Sequence, residues 1–234
     1  MAAAEEGALG GRAPESALEP AARLPPVAEQ EPPAVRKQRG NDALDVAARL
    51  LAGASTFFFL AFAFAYFYLR SLNVEHMWKP AHVKPEQGLG AAFVACLLLS
   101  VGLALVAGRT ERSGSGEWVR PAIGSLGLAL VAVALQCIAY TKQHFGPTDG
   151  AYASVYCAWT ALYMIAVLGA LYWLETQVAT ELRERRHPTA KPGEGETRYE
   201  HPDRLLPRGM GAAVFFWSYL GLLGVLMYVI LYLF

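Results

Sequence analysis

Residues 145–175 read FGPTDGAYASVYCAWTALYMIAVLGALYWLE, and they decide the fold. A short polar turn, Gly146-Pro147-Thr148-Asp149-Gly150, opens an apolar run. About 20 apolar residues at 1.5 Å per residue cross the roughly 30 Å of hydrocarbon in a bilayer, and this run is long enough. Alanine, serine and aromatic side chains are mixed along it, as expected of a membrane helix whose neighbours press close.

Working outward, four more runs of the same kind follow from the hydropathy pattern. The five expected helices are about 46–69, 87–108, 118–141, 150–177 and 210–234. The predicted fold is an all-α membrane protein, a five-transmembrane-helix bundle. Pro121 falls in the first turn of the third run, where its missing N–H breaks no helical bond. Ahead of the bundle, residues 1–43 carry many alanines and six prolines, Pro14, Pro20, Pro25, Pro26, Pro32 and Pro33, with no apolar stretch of signal-peptide length. This segment reads as a disordered cytoplasmic tail. Residues 176–209 read as a charged loop.

The chain has 20 Lys and Arg against 20 Asp and Glu, so net charge gives no indication of a nucleic-acid partner. The distribution of the basic residues is informative. Sixteen of the 20 fall in the tail with Arg49, in the 109–120 loop and in the 176–209 loop; only Arg70, Lys79, Lys84 and Lys142 lie on the other side. The positive-inside rule then orients the bundle with its N-terminus in and its C-terminus out.

An ion pump keeps ionisable side chains inside the bilayer because they are costly there without a task. Here the deep positions hold only neutral polar groups, Ser55, Thr56, Ser100, Gln136, Thr160 and Ser218. No catalytic, cofactor-binding or metal-ligating residue is expected on this chain. Cys96, Cys137 and Cys157 sit in apolar runs without paired spacing and read as packing residues. His76 and His82, with Glu75 or Glu86 nearby, are the one place where metal ligands gather, but His, Trp and Pro in a short interfacial loop serve as surface anchors. His187 and His201 read as solvated. The first run divides into a small-residue half, with Ala52, Gly53, Ser55 and Thr56, and an aromatic half from Phe57 to Tyr68. Small faces also recur at Ala153, Cys157 and Ala161, at Gly124 and Gly127, and at Gly221 and Gly224.

Five helices in this orientation, with a fourth reading GAYASVYCAWTALYMIAV, resemble subunit III of haem-copper respiratory oxidases in its five-helix form. That family's helix carries a pattern close to Y-G-S-V-F-x-x-T-G-x-H-x-x-H-V, which Tyr152, Ser154, Val155, Tyr156, Thr160 and Val167 match. Ala54-Ser55-Thr56 and the aromatics after it resemble A-S-E-x-x-F-F-x-x-F-x-A-Y, and Leu135-Gln136 resembles the start of L-Q-x-x-E-W. Phe216-Trp217-Ser218-Tyr219-Leu220-Gly221 sits where the family has Y-W-H-F-V-D. The likeness covers about residues 44–234. Each ionisable signature is neutral here: Thr56 replaces the glutamate, Tyr163 and Ala166 the two histidines, Ser218 and Gly221 the last His and Asp.

The resemblance implies a non-catalytic accessory subunit. Haem and copper would belong to the partners, a haem-bearing catalytic subunit I and other oxidase subunits, with phospholipids held between helices, in a bacterial cytoplasmic (inner) membrane. Candidate packing or lipid-contact positions are Ser55, Thr56, Phe59, Tyr66, Tyr152, Ser154, Thr160, Tyr163 and Trp217. A related component of a nitric-oxide reductase, and a stand-alone five-helix transporter or lipid-handling protein, remain open on the sequence.

Overall fold

The computed structural model describes residues 33–72, 78–113, 116–186 and 209–234. Among these residues the chain is helical, with no strand. We number the helices α1 (Pro33–Ser71), α2 (Gln87–Arg112), α3 (Val119–Lys142), α4 (Ala151–Arg186) and α5 (Met210–Tyr228), the last continued by a π-turn at Val229–Leu233. All five are long and apolar enough to cross a membrane, which fits a multi-pass membrane protein.

Helices α1 and α4 outgrow their expected bounds most, and α2 runs about one turn on, to Arg112. Helix α1 starts at Pro33, so residues 33–43 of the expected tail are helical; residues 1–32 lie outside the described residues. Proline at a first helical position leaves no bond unmade, and packing then holds the extension. Leu44 stands so close to Gly209 that a Cβ there would come within 2.7 Å of Leu44 Cδ1, and Ala48 is buried. Helix α4 runs on to Arg186, so residues 178–186 of the expected loop are helical as well. There Arg185 Nε pairs with Glu181 Oε1 at 2.9 Å, one turn apart on the helix surface. Residues 187–208, with His187 and His201, lie outside the described residues, as do Glu75 and His76.

Helix α5 sits at the centre, against α1, α2 and α4. Its sequence explains the position, because it is apolar on every side and carries no charge. Helices α2 and α3 form the tightest pair, an antiparallel hairpin. The buried side of α3 is Ala122, Ser125, Ala129, Ala132, Gln136 and Ala139, almost all small, which lets the two backbones approach. Helix α4 turns a stripe inward at helical spacing, Tyr152, Tyr156, Trp159, Tyr163, Val167, Ala170 and Leu174. Helix α1 is the least covered, with Phe57, Phe58, Phe64, Phe67 and Tyr68 all exposed on its outer side.

Candidate functional site

Three small sets of polar groups inside the bundle each lie at a helix contact. The first joins α2 to α3. Ser100 Oγ lies 2.8 Å from Ser125 O, Ser125 Oγ lies 2.9 Å from Ser100 O, and the two hydroxyls are 3.0 Å apart. Trp217 of α5 donates its indole N–H to Ser100 Oγ at 3.1 Å, so three helices meet at one buried point. Ser100 and Trp217 stand out in the sequence. Ser125 does not, since one serine in an apolar run reads as a small packing residue until the register of its partner is known.

The second set joins α1, α4 and α5. Thr56 Oγ1 is 3.0 Å from the Tyr219 hydroxyl and 2.8 Å from Ala52 O. Phe59, one turn on, packs edge-on against Tyr163 with ring centres 6.1 Å apart. Tyr163 donates its hydroxyl to Leu220 O at 2.6 Å. Thr56 of α1, Tyr163 of α4 and Tyr219 of α5 are thus brought to one level, whereas Ser218 donates within its own helix to Val214 O at 2.8 Å and Gly221 faces Val101 of α2. Beside them an apolar groove of about 400 Å³ opens between α1 and α5, lined by Thr56, Phe59, Leu60, Tyr219, Leu222, Leu223 and Leu226. The Thr56–Tyr219 hydroxyl pair is its only polar wall.

The third set closes the end of the bundle that carries Lys79 and Lys142. Tyr66 meets Trp78 edge-on at 5.2 Å, Trp78 meets Tyr152 at 5.8 Å, and Tyr152 stacks on Tyr156 at 6.1 Å. The Tyr156 and Tyr232 hydroxyls are 2.8 Å apart. The last carbonyls of a helix have no partner within it, and here side chains supply them: Tyr152 donates to Leu231 O at 2.6 Å and Gln87 Nε2 to Tyr232 O at 3.2 Å. Gly150, with φ 124°, takes the left-handed conformation open to glycine and starts α4 so that Tyr152 N reaches Trp78 O at 3.1 Å. Lys79 Nζ lies 4.2 Å over the Tyr152 ring. Partial burial, and then the charge of Arg70, lower the Lys79 pKa from its usual value, although the side chain as a whole is exposed.

The nine candidate positions therefore divide. Phe59, Tyr66, Tyr152, Thr160, Tyr163 and Trp217 are buried, while Ser55 and Thr56 are half-buried. Ser154 is exposed and its hydroxyl turns back to Pro147 O and Gly150 O, so it shapes the first turn of α4. Of the expected small faces, Gly221 and Gly224 are buried, whereas Gly127 and Ala161 are exposed. Cys137 is exposed and Cys96 and Cys157 are half-buried, all three as free thiols. Among the described residues no three His, Cys, Asp or Glu side chains gather as metal ligands.

Tyr152→Phe tests the third set. It leaves Leu231 O buried without its donor, and about 1–3 kcal/mol of stability is expected to go. Thermal unfolding of the purified protein in detergent reads the loss; an unchanged midpoint contradicts a capping role.

What this arrangement offers chemically is packing and a lipophilic groove. In comparison with known proteins, the chain matches no family model, and no curated protein is significantly similar to it.

Proposed function

We propose that this chain is a non-catalytic accessory subunit of a haem-copper terminal oxidase, similar to subunit III, which binds lipid and stabilises the haem-bearing catalytic subunit in a bacterial cytoplasmic membrane. Oxygen reduction and proton translocation would belong to that partner, as would the haem and copper. The observation that carries this reading is the convergence of the motif positions: Thr56 with Tyr219, and Phe59 with Tyr163, on three helices at one level beside an apolar groove. The uncovered aromatic side of α1 supports it further, as a face suited to lipid or to a larger membrane partner. With a threonine at the glutamate position, the role left for the chain is packing rather than proton uptake.

Purification from the native membrane in mild detergent tests the reading. The chain is expected to travel with a larger subunit whose reduced-minus-oxidised spectrum shows haem, and with copper in the metal analysis. Haem without copper would instead point to a nitric-oxide reductase. A monomer free of haem-bearing partners would overturn the proposal and leave the lipid-handling alternative, for which the groove is the relevant observation.

A further inference from the structure

Near the Lys142 end of α3, three polar atoms are buried without a protein partner: Gln136 Nε2, the Tyr140 hydroxyl and, at the end of the helix, Gln143 Oε1. Gln136 is 2% exposed, and Thr160 across the seam on α4 is 1% exposed. The Gln136 amide and the Thr160 hydroxyl come near the Tyr140 hydroxyl, but neither reaches it in full hydrogen-bond geometry. Thr160 donates to Tyr156 O at 2.7 Å and keeps its lone pairs for another donor. The Gln143 amide nitrogen is already placed, 2.8 Å from Phe145 O and 3.3 Å from Cys157 Sγ, leaving its oxygen unmatched.

Polar atoms orphaned at this depth cost several kcal/mol unless something supplies the missing bonds. The needs are mixed. Gln136 offers N–H donors, Gln143 wants a donor, and Tyr140 takes either part. A lipid ester or ketone only accepts, and an ion would find no counter-charge, since the seam holds amides, hydroxyls and one thiol. Water both donates and accepts, and buried water settles where two to four polar groups converge. We propose that the α3–α4 seam is a water-binding site, with ordered water held by Gln136, Tyr140 and Thr160. Gln143, about 10 Å along the axis from Gln136, marks the side from which water enters.

The test separates a wet seam from a dry one by the sign of an effect. In the purified full chain, Gln136→Leu removes one anchor of the water and is expected to lower the unfolding temperature by about 2–4 °C. If the seam is dry, the same change deletes an orphaned amide and raises that temperature. Synchrotron radiolysis needs no variant. Hydroxyl radicals born from bound water should oxidise Tyr140 but spare Tyr219, which is half-buried like Tyr140 and whose hydroxyl is bonded to Thr56. A rise in unfolding temperature for Gln136→Leu, or a Tyr140 as unreactive as Tyr219, overturns the proposal.

Discussion

Trp217→Ala is expected to cost about 3 kcal/mol or more of stability, read as a loss of resistance to thermal or detergent unfolding. The indole is fully buried and its N–H reaches Ser100 Oγ, the joint of α2 and α3. In water, much of such a loss would be hydrophobic transfer. In a bilayer that part shrinks, because lipid tails are as apolar as the side chain, and the lost dispersion contacts around the cavity remain. This places the expectation at the lower end of the range for a large-to-small change in a core. Trp217→Phe keeps most of the volume and drops only the N–H, so about 1 kcal/mol should go. If alanine costs no more than phenylalanine, Trp217 is not a packing centre.

Gly224→Val is the second large effect. A Cβ at this position would collide with the Tyr163 hydroxyl and come within 3.2 Å of Leu97 Cδ2. Tyr163 cannot swing aside without giving up its bond to Leu220 O, and its surroundings are fully packed. Overfilling of this sort costs about 3 kcal/mol; Gly224→Ala should show the same sign at smaller size. Gly102 is the control. No atom lies within 4 Å of a Cβ built there, so Gly102→Ala should be neutral or stabilise α2 by up to about 1 kcal/mol, the usual helix preference for alanine over glycine. Equal losses at the two glycines would contradict the close approach of α4 and α5.

These contrasts show what the amino-acid sequence discloses and what it withholds. The five apolar runs are legible because hydrocarbon thickness imposes a length that side-chain chemistry alone reports. The inward stripe of α4 is legible too, since Tyr152, Tyr156 and Tyr163 recur at helical spacing. The true ends of α1 and α4 are not. They depend on the contact of Leu44 with Gly209 and on the Glu181–Arg185 pair, which exist once the helices are in place. The candidate positions on α1, α4 and α5 were picked by motif likeness, and only the fold brings Thr56 next to Tyr219. The sequence marks Tyr152 and Tyr163 as packing or lipid-contact positions, whereas they also act as donors to backbone carbonyls of α5 and the π-turn that continues it. That second use requires knowing which carbonyls a neighbour presents.

The pairing of α2 with α3 has a consequence for assembly. The link between them is short, and their contacts, among them the reciprocal serine bonds, are between segments close in the chain. Contacts of that kind form early and fast. Helix α5 follows the other four in the chain yet fills the middle, so during synthesis the hairpin has time to close while the centre stays open. The groups that α5 engages, Ser100, Tyr152 and Tyr163 among them, gain those partners only when it arrives. Insertion of the last helix is then the step that converts a set of inserted segments into one packed body.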